Sequence, residues 1–321
     1  MKKKISLVVP CYNEEKNIRL FYKECEKTFQ KQKINVELVF VNDGSQDNTI
    51  GELKRLTTTK KFEIKVVNFS RNFGKEAAMY AGLKNTTGDY VVIIDADLQQ
   101  KPELIIPMIE IVEESDEYDC VCYYQEQRIE GKLVSLFKKI FYGVISKLSD
   151  IDFKNGASDF RLFRRYVVDA ILSLHEKNRF SKGIFSWIGF NTKYLPYVPE
   201  ERAHGVSSFN FKGLLKYALS GILSFSVAPL RLAIYSGLFF SLISFVYLAI
   251  VLIQKLFFTI DVPGYATIVA CILLIGGIIL FALGIIGEYI ARIYMEVKDR
   301  PVYITKEIVT NKEKDNKQSS K

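Results

Sequence analysis

Two stretches near the C-terminus carry no charged residue: Leu232 to Ile253, 22 residues long, and Val262 to Gly287, 26 residues long. At about 1.5 Å per helical residue, each exceeds the roughly 30 Å hydrocarbon core of a bilayer. Buried core helices seldom run so long without a charge, so the pair reads as a membrane hairpin. The connector Gln254 to Asp261 is short, which puts both ends of the hairpin on one side. It holds one basic residue, Lys255, whereas Lys212, Lys216 and Arg231 precede the hairpin and Arg292, Lys298, Arg300 and Lys306 follow it. The positive-inside rule then places the flanks, and both termini, in the cytoplasm. Gly276, Gly277, Gly284 and Gly287 permit close helix approach, and a homo-oligomer through the hairpin is compatible with them.

The remainder of the chain is of another kind. Charged residues form 25% of the 321, which excludes a protein made only of spans, and the 49% hydrophobic content excludes disorder. Lys2-Lys3-Lys4 followed by Ile5 to Cys11 imitates an export signal. The apolar run is too short for one, and Asn13-Glu14-Glu15 follows at once. Five scattered cysteines (11, 25, 120, 122 and 271) suit a reducing compartment. Cys120-Val-Cys122 lacks metal-ligand spacing and His175 and His204 have no partners at such spacing, so zinc is not expected. The net charge of +8 is assigned to topology, headgroups and phosphates, with no nucleic acid required.

Within residues 1 to 225, short apolar runs alternate with helical patterns. Strands are expected at Ile5 to Pro10, Val36 to Val41, Glu63 to Phe69 and Tyr90 to Ile94. Helices are expected at Glu15 to Lys31, Thr49 to Leu56, Gly74 to Leu83 and Pro102 to Glu113. Continuous apolar strands alternating with helices predict an α/β domain whose mostly parallel sheet is covered on both faces. Ligands of such sheets bind at the carboxyl ends of the strands. Those ends read Pro10-Cys11-Tyr12-Asn13-Glu14-Glu15, Asn42-Asp43-Gly44-Ser45, Ser70-Arg71-Asn72-Phe73-Gly74-Lys75 and Asp95-Ala96-Asp97-Leu98-Gln99. Carboxylates, amides and an Arg71/Lys75 pair thus converge on one edge, a cleft for a polar, phosphorylated ligand. No G-x-G-x-x-G or P-loop pattern follows any strand, so a dinucleotide fold finds no support. Asp95 and Asp97 with the Gln99 carbonyl suit a hard divalent cation, Mg2+ or Mn2+, that also holds a diphosphate. The plainer alternative is an Asp pair in a turn capping the helix near Pro102.

Ile5 to Glu15, Asn42 to Ser45, Ser70 to Lys75, Asp95 to Gln99 and Gly156 to Arg164, in this order and before a two-helix anchor, resemble glycosyltransferase family 2. More specifically, they resemble its polyprenyl-phosphate glycosyltransferases, relatives of dolichyl-phosphate mannose synthase. The resemblance implies a GT-A fold and inverting transfer of one sugar from a UDP-sugar to polyprenyl phosphate, with glucose and N-acetylglucosamine the leading candidates. It implies that Pro10, Tyr12 and Glu14 hold uracil and ribose and that Asp43 reads the uracil ring. It implies that Asp95, Asp97 and Gln99 serve the metal and diphosphate, and that Asp159 is the carboxylate usually assigned as base. A lipid monophosphate has a second pKa near ~6 and is already largely ionised, so Asp159 equally suits orienting the acceptor. Its plain alternative is a turn Asp bonded to Arg161 or Arg164. Two departures concern phosphate contacts. Gln125 replaces the first Arg of an Arg-x-x-Arg pattern, leaving Arg128. Ser208 replaces the Lys expected after Arg202…Gly205-Val206-Ser207, with Lys212 a substitute.

Leu133, Phe137, Ile140, Phe141, Val144 and Leu148 share one helical face opposite several lysines, the pattern of an interfacial helix over about 132–149 lying on anionic lipid. Trp187 is expected to pack in the core or at the interface. The organisation expected is a glycosyltransferase domain over 1–208, a juxtamembrane helix over 209–231, spans over 232–253 and 262–287, and a cytoplasmic tail over 288–321 that frays beyond Thr310. Two other readings compete. A processive polysaccharide synthase would carry Gln-x-x-Arg-Trp and more spans. A silent UDP-sugar-binding adapter would not need Asp95, Asp97 and Asp159 together.

Overall fold

The computed structural model describes residues 3–32, 34–125, 156–198, 223–224, 226–257 and 264–311. Arg128, the expected interfacial helix, Arg202, Ser208, Lys212 and residues beyond 311 lie outside them. Strands β1 (Lys4–Cys11), β2 (Asn35–Asn42), β3 (Glu63–Phe69) and β4 (Tyr90–Ile93) alternate with helices α1 (Ile18–Gln32), α2 (Thr49–Leu56) and α3 (Lys75–Lys84). A 3-10 turn then leads into α4 (Ile105–Glu114), followed by β5 (Cys120–Gln125), β6 (Ala157–Arg164), α5 (Arg165–Ser173), α6 (Ser181–Trp187) and β7 (Thr192–Tyr197). Two long helices, α7 (Ala228–Phe257) and α8 (Tyr265–Val297), precede a last strand, β8 (Thr305–Thr310).

The eight strands among the described residues join one sheet in the order β7-β5-β6-β4-β1-β2-β3-β8. The central strands β4, β1, β2 and β3 run parallel. Their apolar runs are buried on both faces because helices cover both. Phe21, Phe29 and Met108 of α1 and α4 close one side, and Met79, Val167, Ile171 and Phe185 of α3, α5 and α6 close the other. α3 lies so close to β1 that a Cβ on Gly82 would stand 2.2 Å from Val8 Cγ1. Pro10, which has no N–H to give, falls beyond the last β1–β4 pair, Val8 with Ile93.

The sheet is mixed rather than uniformly parallel. β6 runs antiparallel between β4 and β5, and β8 runs antiparallel along β3. α1 begins at Ile18, later than the apolar pattern indicates. The Glu14 and Glu15 N–H groups are already taken by Thr49 Oγ1 and the Asp47 carboxylate, which hold that segment as a loop.

β8 changes the reading of the tail. The second long helix does not end in a free segment but returns to the sheet, where Lys65 pairs with Thr310 and Val67 with Ile308. Tyr303 stacks on Phe69 with ring centroids 4.8 Å apart, and the Ser70 N–H donates to the Ile304 carbonyl at 3.0 Å. One turn earlier, Glu296 Oε1 accepts from the Lys177 N–H at 2.9 Å, and Lys177 pairs with Asp299 at 2.8 Å. α7 and α8 are long and apolar enough to cross a membrane. They are not buried core helices, since Leu280 is 71% and Phe281 66% exposed. Tyr289 donates to the Ser226 carbonyl at 2.6 Å and Arg292 to Ser224 Oγ at 2.9 Å, joining α8 to the residues just ahead of α7. The four hairpin glycines face open space.

Candidate active site

The carboxyl ends of β1, β2, β3 and β4 form one rim, and loops stitched to one another build it. The Asn13 side chain accepts from the Gln46 N–H at 2.8 Å, and the Asn13 N–H donates to Ser45 Oγ at 3.0 Å, with Asn13 in the left-handed region at φ 57°. This fixes the loop that carries Tyr12, 43% exposed, and Glu14, whose carboxylate accepts from Asn17 Nδ2. Asp43 is buried. Its two oxygens accept the Phe73 and Gly74 N–H groups at 2.6 and 3.0 Å. Burial pushes the Asp43 carboxyl up and those two bonds oppose the rise. A carboxylate offers about four lone-pair sites, so Asp43 keeps acceptor capacity for a ligand while it shapes the β3–α3 turn. Gly44 at φ +63° is required by the same turn, because a Cβ there would sit 2.3 Å from the Arg71 carbonyl carbon.

That turn delivers Lys75, the first residue of α3, into the middle of the cleft. Its ammonium lies 2.8 Å from each Asp95 oxygen and 3.1 Å from Asp159 Oδ2. Burial opposes the Lys75 charge, yet the Asp95 and Asp159 carboxylates outweigh it and hold the ammonium above its ordinary range. Asp159 shows the converse balance. Burial pushes it up, but Lys75, Lys182 and Arg161 prevail and bring it to about 2. Asp97 is buried, and its Oδ1 accepts the Gln99 N–H at 3.1 Å across Leu98, itself left-handed at φ 61°. For a leucine that conformation is strained, a common mark of functional turns. Asp97 thus has a turn role, while the N-cap of the 3-10 turn at Pro102 is Lys101, whose side chain makes no capping bond.

The structure gathers Lys75, Asp95 and Asp159 in direct contact. Arg71 is placed elsewhere, its guanidinium 4.1 Å from the Phe73 ring centroid and donating to the Asn72 carbonyl. Asp159 is no turn residue bound to Arg164, which pairs with Asp116 at 3.1 Å. Gln125 donates to Tyr197 Oη at 3.3 Å, and Trp187 is 58% exposed, so it is not core. Three further residues contribute, of which Lys182 and Glu76 were not expected. Arg161, two residues past Asp159 on β6, lies fully buried with its guanidinium 5.0 Å from the Phe185 ring centroid. Strand alternation alone puts it on the Asp159 face. Lys182 and Glu76 meet the site only through space. Glu76 Oε2 accepts both the N–H, at 2.9 Å, and the hydroxyl of Ser181, tying α3 to α6. Burial, helped by the Asp159 charge, pushes Glu76 up to about 7.

Among the described residues no three His, Cys, Asp or Glu side chains gather into a protein-only metal cage. The donors offered, Asp95 and Asp97 with Gln99 beside them, are hard oxygens. They fit an ion that completes its shell from a diphosphate and water.

Comparison with known proteins decides the family. The model of Glycosyl transferase family 2 matches residues 6–172, and that of the GtrB C-terminal hairpin matches 228–293. The chain belongs to glycosyltransferase family 2. It is a glycosyltransferase with the GT-A-like mixed sheet of that family. It is 42% identical over 303 residues to the bactoprenol glucosyl transferase of Shigella phage SfX, covering 94% of this chain and 99% of that one. It is 39% identical over 305 residues to the prophage bactoprenol glucosyl transferase homolog of Escherichia coli, covering 95% and 99%. Among solved structures, mannosyl-3-phosphoglycerate synthase from Rubrobacter xylanophilus aligns over 68% of this chain and 72% of its own, with 18% identity and a TM-score of 0.47.

Proposed function

We propose that this glycosyltransferase moves a single sugar, glucose before N-acetylglucosamine, from its UDP donor to a polyprenyl phosphate at the cytoplasmic membrane face. The observation that carries this reading is the Lys75–Asp95–Asp159 cluster at the strand ends of a domain tied to two helices long and apolar enough to cross a membrane. Relatives named bactoprenol glucosyl transferase, matching over nearly their whole length, support the sugar and the carrier. Because β8 follows the hairpin and pairs with β3, which precedes it, the sheet itself supports a topology with both hairpin ends on the catalytic side.

In the inverting reaction a phosphate oxygen of the acceptor attacks the anomeric carbon while its bond to the UDP oxygen breaks. Asp95 and Asp97, with Gln99, would hold Mg2+ or Mn2+, and such an ion would supply Lewis-acid stabilisation of the charge on the departing diphosphate. Tyr12, Glu14 and Asp43 would hold the nucleoside, together with Pro10, next to last in β1. Asp159 does not act as a base. A carboxyl held at about 2 stays ionised at neutral pH and is a poor proton acceptor. The acceptor has no proton that must be removed, because a phosphate monoester is mostly dianionic above its second pKa of ~6. Asp159 instead anchors Lys75 and offers negative charge near the positive charge that develops on the sugar. Arg128 and Arg202 complete the phosphate contacts in this proposal.

The test gives purified full-length protein UDP-glucose or UDP-N-acetylglucosamine, undecaprenyl phosphate and Mg2+ or Mn2+, with the product read by mass. A single-sugar lipid phosphate that disappears in Asp97→Ala is the expected result. No glycolipid from any donor, or full activity in Asp97→Ala, refutes it.

A further inference from the structure

Lys75 occupies an unusual position for a basic residue. It opens α3, and the N-terminal turn of a helix carries partial positive charge that disfavours a cation. What holds the ammonium is two carboxylates: both oxygens of Asp95 at 2.8 Å and Oδ2 of Asp159 at 3.1 Å. A nitrogen equidistant from both oxygens of a carboxylate sits on its bisector, where a hard cation chelated by that carboxylate would also lie. The Lys75 side chain keeps 42% of its surface exposed, so a competing cation arriving from solvent can reach the pair.

We propose that Lys75 is a placeholder cation, occupying Asp95 until the divalent ion arrives and then passing to Asp159. The proposal rests on the reading of Asp95 as a metal ligand. An ammonium and a divalent ion cannot share the bisector of one carboxylate, so arrival of the ion expels Lys75. Its second harbour is already within reach, and the move is a rotation about the side chain rather than a shift of α3. An ammonium has three donors. Released from Asp95 and kept by Asp159, Lys75 has donors to turn toward an incoming phosphate monoester. The exchange links the two halves of the site, since the acceptor-side cation is freed only once the donor-side ion is in place.

The test is Mn2+ binding to the full-length protein in detergent without substrate, read from the electron paramagnetic resonance signal of free Mn2+. Lys75→Gln is expected to bind Mn2+ roughly five- to tenfold more tightly than the unaltered protein, the scale of losing one screened ion pair and one nearby like charge. Lys75→Arg is expected to bind it several-fold more weakly, because a guanidinium grips a carboxylate with two parallel bonds. The Arg variant keeps the cation and serves as the test should Lys75→Gln fail to fold. Affinity unchanged or reduced in Lys75→Gln, or raised in Lys75→Arg, overturns the placeholder role while leaving Asp95 as a ligand. Mn2+ bound by none of the three proteins, with or without UDP, overturns the metal reading and the exchange with it.

Discussion

Replacing Asp159 by Asn measures how firmly the cluster holds its charge. In the folded protein this carboxyl sits at about 2 against an ordinary value of 3.8, with its side chain 22% exposed. A group depressed by this much contributes roughly 2 kcal/mol of stability at neutral pH through linkage. The sign follows from the direction. The contribution is complete above the unfolded value near 4 and disappears as pH falls through the folded value near 2. Asp159→Asn should therefore be less stable than the unaltered protein by about 2 kcal/mol, constant between pH 8 and pH 5. The gap should narrow only below about pH 4, where the unfolded carboxylate begins to protonate. Denaturant unfolding of both proteins in the same detergent, followed by tryptophan fluorescence of Trp187 and far-ultraviolet dichroism, reads the difference directly. Equal stability at pH 7 would show that Lys75, Lys182 and Arg161 do not hold Asp159 ionised. A gap that opened or closed between pH 6 and 7 would restore Asp159 as a group titrating in the working range, and with it the role of base.

Glu76 carries the opposite sign. Its carboxyl is raised to about 7, so the folded state loses stability as pH climbs from the unfolded value toward 7. Glu76→Gln, which can still accept from Ser181, should match the unaltered protein at pH 5 and melt higher at pH 8; parallel melting curves at both pH values would contradict this. Gly44→Ala forces a side chain against the Arg71 and Asn72 backbone at φ +63°, and should destabilise by roughly 2–4 kcal/mol while lowering transfer through the displaced Lys75 turn. Unchanged unfolding midpoints would disprove the close approach. Tyr303→Ala removes the ring stacked on Phe69 at 4.8 Å, and hydrogen exchange of the β3 amides should quicken if β8 depends on that contact.

What was legible in the chain follows from where the information resides. β1 to β4 were readable because strands buried on both faces must be continuously apolar, and Val36 to Val41 or Tyr90 to Ile94 can hardly be anything else. The strand ends are readable because polar residues appear there abruptly, which marks Asp43, Lys75 and Asp95; Asp159, near the start of the antiparallel β6, is marked only by the family resemblance. β8 was not readable. Thr305-Lys306-Glu307-Ile308-Val309-Thr310 is a half-exposed edge strand that exists only because β3 offers an unpaired edge, and nothing local distinguishes it from a polar tail. The antiparallel insertion of β6 was equally hidden, since direction is set by pairing with β4 and β5 rather than by composition. Glu76 and Ser181 are 105 residues apart, and no spacing rule reaches across that interval.

The eighth strand also dictates the order in which the protein becomes whole. Asn68 and Glu307, joined side chain to side chain, are 239 residues apart, and both long apolar helices lie between them. The seven strands that precede the long helices among the described residues are synthesised first, and in the proposed topology the outer edge of β3 stays bare until both helices have crossed and the chain has come back. A copy in which only one of the two helices crosses would leave Thr305–Thr310 on the far side of the bilayer from β3, with Phe69 and the β3 edge open to proteases and to other unpaired strands. In that topology the sheet can close only when both helices have crossed.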